Sequence, residues 1–340
     1  MEGNRKPAIS LCRIFSMILI ILCHIIHLYP FVPGSQFLRE VLNVGVYTFL
    51  AISGYLYGRK NVSQFIRWFG QRAAKVMLPS SILSVFVFLG MVLVYRQFDP
   101  VSFLVYVTNI QGIAFLLPAN WVFFRQISPI VPLWFVTVIM LCYCLIPGFQ
   151  KLRERLPSYP VCLAIFAVLT VVCYGVGYVS GIQLFYFLTF FNGYCMGHFG
   201  EASAVKPIPF ACYTAVMAGM QMLRLLLRSL CDGTEAYQVF VGVSHMTLGI
   251  WILGVFFLLG RYLPGLTLRM SRFRLTVWLD EISLYVYMTH SVFITTVLSP
   301  YQYTNNLLIC TVLFFVLSFA SAMLLKWISG MIQRKFLRMV

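Results

Sequence analysis

The sequence predicts an all-α, polytopic integral membrane protein with about ten transmembrane helices and both termini cytoplasmic. Three observations predict it. Of 340 residues, 61% are hydrophobic and only 10% charged, with a mean hydropathy of +0.88, far outside the range of soluble globular domains. Apolar runs of about 16 to 23 residues recur ten times along the chain. With the amino terminus inside, 20 of the 25 Lys and Arg residues fall on the inner side and only Arg39, Arg96, Arg125, Arg224 and Arg228 fall outside, as the positive-inside rule requires.

The ten spans are approximately 9–29, 41–57, 77–95, 131–149, 160–179, 183–199, 207–228, 238–260, 276–298 and 306–328. No small-residue cleavage site follows the first, so it is expected to stay as a helix. No soluble domain interrupts the series, and residues 1–340 are expected to form a single transmembrane domain. The connection at about 96–130 is itself mostly apolar and reads as a re-entrant or interfacial segment. The net charge of +16 is scattered between apolar spans, which argues against a nucleic-acid partner and reads as the topology of a chain set among membrane lipids. Nine of the ten cysteines lie within spans and Cys231 in a loop, so no disulfide is expected. Cys142 and Cys144 point to different helix faces, and no metal site is expected.

The first span carries Arg13 and His24, eleven positions apart and therefore on nearly one helical face. Ionisable groups against lipid cost several kcal/mol, so such residues line polar cavities; Arg13 alone also reads as a snorkelling residue near the helix end, whereas His24 lies too deep for that. In the second span Ser53 and Gly54 interrupt an aromatic and aliphatic helix, where a Gly usually allows close helix contact. Next, FIRWFGQRAAKVMLP puts Arg72 and Lys75 three apart on one face just before Pro79, which opens the third span. These two cations bind either lipid headgroups or the phosphates of a cosubstrate. Trp134 begins the fourth span as an interfacial anchor or a cavity residue. LDEISLYVYMTH opens the ninth span with two acids, passes Tyr287 and ends on the deep His290, suited to chemistry or to a hydrogen bond between helices.

Taken in order, these stretches resemble acyltransferase family 3 of integral membrane O-acyltransferases. The resemblance rests on Arg13 with His24, the FLAISGYL segment Phe49 to Leu56, Arg72 and Lys75 with Pro79, the pair Leu133 and Trp134, and ISLYVYMTH ending at His290. It implies transfer of an acyl group, commonly acetyl from acetyl-CoA, to a hydroxyl of a glycan or lipid-linked sugar, in the cell membrane and without a metal. It also implies His24 as general base, Arg13 as essential beside it, and Arg72 and Lys75, with Ser53 and Gly54, near the donor. Tyr47 stands where many members have aspartate, and Thr137 near the place of a common glutamate.

Counting ~1.5 Å per residue from the inner end of each span puts Arg13 ~6 Å deep, Ser53 ~12 Å, His24 ~22 Å and His290 ~21 Å. The two histidines therefore come level; Trp134, Tyr287 and His290 are the candidate cavity or acceptor residues. A neutral imidazole suits removal of a hydroxyl proton during attack on a thioester. The competing function is a transporter or flippase for a glycan lipid or small polar solute, which would show paired broken helices in two related halves.

Overall fold

The computed structural model describes residues 6–26, 34–115, 122–155, 158–175, 182–200, 205–231, 233–304 and 306–336. Among them every regular element is helical. In chain order these are α1 (Pro7–Ile26), α2 (Ser35–Leu42), α3 (Gly45–Gly58), α4 (Phe65–Tyr95), α5 (Pro100–Val107), α6 (Trp134–Cys144), α7 (Ile146–Arg153) and α8 (Tyr159–Gly175). They continue as α9 (Ile182–Phe199), α10 (Pro207–Cys231), α11 (Glu235–Tyr262), α12 (Pro264–Arg272), α13 (Arg274–Thr289), α14 (Val292–Thr295) and α15 (Leu307–Phe336). Single 3₁₀ turns occupy Gln111–Phe115, Ser128–Leu133 and Pro300–Gln302.

Among the described residues seven helical stretches are long and apolar enough to cross a membrane, and Ser128–Cys144 with Ile146–Arg153 makes an eighth as a bent pair. Two of the ten expected spans account for the difference. The end of 160–179 lies outside the described residues, and α9 carries Asn192 and His198 in a stretch otherwise like the others. The third span also differs from expectation. Pro79 does not open a helix but lies inside α4, which runs unbroken for 31 residues. Proline removes one main-chain donor and crowds the preceding turn; the long apolar packing on either side carries the helix through. At 1.5 Å per residue α4 is ~46 Å long, more than a ~30 Å hydrocarbon layer, so Arg67, Arg72 and Lys75 extend beyond its apolar part.

The chain forms two compact units, each drawn from separate stretches. Unit 1 takes Met1–Ile20, Glu40–Ser63 and Leu145–Asp280; unit 2 takes Ile21–Arg39, Gln64–Cys144 and Glu281–Val340. Helices α1 and α13 give residues to both.

Unit 1 is built around the crossing of α3 and α9. Gly54 and Gly58 on α3 face Gly193 and Gly197 on α9, and a Cβ on any of the four would overlap a main-chain carbonyl of the other helix. Both pairs have the small-xxx-small spacing that lets membrane helices approach through their backbones. Helix α11 packs on this pair, with Gly249 against Tyr47. It is tied to α10 by a hydrogen bond of 2.9 Å from Trp251 Nε1 to Thr214 Oγ1.

Unit 2 is organised by α4, which packs against α15, α6 and α5. The described parts of the apolar 96–130 connection, 96–115 and 122–130, carry a helix and 3₁₀ turns. Asp99 caps α5, accepting from Val101 and Ser102 main-chain N–H groups, with Pro100 in the first turn. Asn109, at a φ of 60° that asparagine tolerates, is buried and donates to Ser81 Oγ of α4 at 2.7 Å. Thr137 of α6 donates to the Asn109 carbonyl at 2.7 Å and accepts from Gly112 N–H at 2.9 Å. The segment is thus stitched back onto α4 and α6, and Thr137 supplies the stitch.

Candidate functional site

The centre of the site is a pair of histidines in unit 2. Helix α13 stops at Thr289, and the last four carbonyls of any helix lack main-chain partners from their own helix. Tyr287 contributes one of them. His290, in the turn that follows, brings its Nδ1 to 2.6 Å from that carbonyl, and its Nε2 to 2.9 Å from Nδ1 of His24 on α1. His290 is fully buried and His24 half-buried.

These contacts fix the protons. A carbonyl oxygen only accepts, so His290 Nδ1 carries a hydrogen. In the neutral ring its Nε2 is then an acceptor, so His24 Nδ1 donates to it. In a neutral His24 that donates from Nδ1, the ring's lone pair lies on Nε2. The depth count that put the two histidines level is matched by their meeting.

Tyr287 holds this arrangement from a second side. Its hydroxyl donates to the Pro132 carbonyl in the 3₁₀ turn Ser128–Leu133, which leads directly into Trp134. Its ring lies 5.5 Å from that of Phe135 and 5.9 Å from that of His290. Tyr287 is buried and Trp134 half-buried. Thr289 fastens the same end of α13 to α15 through the Ser318 carbonyl at 3.2 Å. Histidine, tyrosine and the turn before Trp134 therefore form one hydrogen-bonded assembly.

Arg13 lies in unit 1. Its Nη1 donates to Asp280 Oδ1 at 2.7 Å, and Ser10 Oγ donates to Asp280 Oδ2 at 2.9 Å. The acid is 4% exposed and the arginine 30%. In the sequence Asp280 is one of two acids that open the ninth span. Its partnership is readable there, since Asp280 stands four residues into its span and Arg13 four into its own, at one depth.

Of the residues assigned to the donor, Ser53 and Gly54 lie on α3 in unit 1, where Gly54 is taken up by its contact with the Phe190 carbonyl of α9. Close helix contact therefore accounts for this glycine. Arg72 and Lys75 lie in unit 2, near the start of α4, Arg72 half-buried and Lys75 exposed. A bond of 2.8 Å from Gln333 Nε2 to the Ala74 carbonyl brings the end of α15, with Arg334 and Lys335, beside that turn. The last turns of α15 and the early turns of α4, which carry these four cations, are therefore neighbours.

Unit 2 also contains a cavity of about 580 Å³. Its walls are apolar faces of α4 and α14, with Arg125, Gln126 and Thr296 among the polar groups. Thr289 touches it; His24 and His290 do not line it.

An acyltransferase domain family model matches residues 6–330, nearly the whole chain and both units. No curated protein and no solved structure matches. The ordered motifs, the all-helical membrane architecture and this end-to-end match agree, and the chain belongs to acyltransferase family 3.

Proposed function

We propose that the protein moves an acyl group, acetyl in the first instance, from acyl-CoA to a hydroxyl of a glycan or lipid-linked sugar, with His24 as the general base. The observation that carries this reading is the hydrogen-bonded line from His24 through His290 to the Tyr287 carbonyl. The acceptor hydroxyl gives its proton to His24 Nε2 as its oxygen attacks the thioester carbonyl. The new C–O bond forms and the C–S bond breaks. The proton held on His24 then passes to the departing sulfur, so no net acid or base is consumed. His290 accepts from His24 Nδ1 throughout. With the carbonyl end of α13 beside it, it offsets the positive charge that the imidazole acquires in the middle of the reaction.

Arg72 and Lys75, joined by Arg334 and Lys335, are the cations we assign to the donor's phosphates, which several positive groups bind better than one. The basic residues crowd the cytoplasmic side in the sequence count, so the donor enters there and the acceptor hydroxyl arrives from the opposite side. Arg13 keeps α1 tied to Asp280 and acts as a positioning residue.

The test uses sealed proteoliposomes of known orientation, labelled acetyl-CoA supplied to one face at a time, and a lipid-linked sugar acceptor. We expect free coenzyme thiol on the cytoplasmic face and acetyl ester on the opposite face. Ester formed only on the face that receives the donor would overturn the sidedness. Sugar crossing the membrane without thiol release would overturn the transferase reading.

A further inference from the structure

Unit 1 holds a second cluster of buried polar groups, which the acyl-transfer reading does not use. Arg224 on α10 is 1% exposed, the largest fully buried side chain among the described residues. Its Nη1 lies 3.2 Å from Ser244 Oγ and 3.0 Å from His245 Nε2, both on α11. The same His245 nitrogen lies 2.5 Å from the Glu40 carbonyl. One ring nitrogen cannot accept from the guanidinium and donate to a carbonyl at once. The shorter contact makes it the donor to Glu40, which leaves Ser244 as the acceptor for Arg224 Nη1.

Among the described residues Arg224 Nε and Nη2 have no hydrogen-bond partner. These are not two arbitrary donors. They form one edge of the planar guanidinium, with parallel N–H bonds spaced to meet the two oxygens of a carboxylate. Arginine stays charged at any accessible pH, so the cost of burying it is met only by a partner. The nearby carboxylate of Glu40 is paired with Arg228 Nη2 at 3.2 Å, one helical turn along α10 from Arg224. Among the described residues Glu40 is the acid that faces both Arg224 and Arg228. Arg228 and Glu40 are each 21% exposed, so the cluster reaches the surface through them. Gln221, on the same face of α10, has an unpaired buried Oε1 as well.

We propose that unit 1 carries a binding site for a small carboxylate, held side-on by Nε and Nη2 of Arg224. The carboxylate brings a negative charge to the guanidinium and both missing acceptors in one group. A water molecule supplies one acceptor and no charge.

The test is a thermal unfolding titration of the purified full-length protein with acetate, at constant ionic strength set by chloride. Acetamide, of the same shape but uncharged, and inorganic phosphate serve as comparators. We expect acetate to raise the Tm saturably by about 2–4 °C while acetamide leaves it unmoved. Ser244→Ala, which keeps the open edge, should retain the shift; Arg224→Lys, which keeps the charge without the fork, should lose it. An absent acetate effect in the wild-type protein overturns the proposal whether or not Arg224→Lys folds. A response to phosphate alone overturns the carboxylate assignment, and an equal acetate shift in Arg224→Lys overturns the role of the arginine edge.

Discussion

His290→Leu is the sharpest probe of the proposed chemistry. Leucine fills most of the volume of a fully buried side chain but removes both of its hydrogen bonds, at 2.9 Å to His24 and 2.6 Å to the Tyr287 carbonyl. The first bond matters most when His24 has taken the substrate proton. A hydrogen bond to a charged group contributes about 1.5–3 kcal/mol. At 1.36 kcal/mol per decade this loss slows turnover by about 10- to 160-fold. Leaving the Tyr287 carbonyl without its donor costs a further ~1–3 kcal/mol, but in stability rather than rate. His24→Ala removes the base itself and should cost about 10²–10⁴-fold. In that background His290→Leu should slow turnover no further, because the groups act as a unit. The assay is single-turnover ester formation in detergent, with donor KM measured in parallel and expected to stay unchanged. Turnover within threefold of wild type in folded His290→Leu would refute the relay, and so would a full additional loss in the double variant.

Asp280→Asn should lower both stability and activity. Breaking a buried ion pair costs about 3–5 kcal/mol, and with Arg13 30% exposed about 2–3 kcal/mol is expected by denaturant or thermal melts. Replacing Arg72 and Lys75 together by Gln should raise donor KM about tenfold or more, flatten its salt dependence and leave acceptor KM alone; unchanged donor affinity would return both to lipid headgroups. Asp99→Ala should cost about 1 kcal/mol through the lost cap of α5. The Ser102 hydroxyl holds the Asp99 carboxyl below its ordinary range, so this contribution is complete above the usual carboxylate value and fades as pH falls through the lowered one. A wild-type melt that is flat in acid, relative to Asp99→Ala, would contradict it.

Much of this was legible from the sequence because membrane helices turn counting into geometry. His24 and His290 were placed at one depth by counting residues, and the fold brings them into contact. The same count fails where the informative quantity lies across the helix axis. Arg224 reads as an outer-end charge, yet it is buried, since nothing in α10 announces that Ser244 and His245 of α11 face it. Pro79 reads as a helix start because its local cost is certain, whereas the packing that overrides it comes from distant residues. Gly54 was ambiguous for a related reason. The second small-residue pair, Gly193 and Gly197, was present in the sequence, but its pairing with Gly54 and Gly58 is a fact of three dimensions.

That crossing also shapes how genetic data on this protein will read. Where four glycines place two backbones in contact, a slide that sets a residue other than glycine against those carbonyls drives a Cβ into them. The pair behaves as a single welded beam, and the smallest addition, one methyl, acts on all of it. Because Gly54 lies in one of the stretches that carry the family resemblance, a screen that scores activity alone would rank it among the chemical residues. Its variants would instead fail as unassembled protein, and at permissive temperature the surviving molecules would turn over at the normal rate. Conditional phenotypes there would make a handle for depleting the enzyme without touching its chemistry.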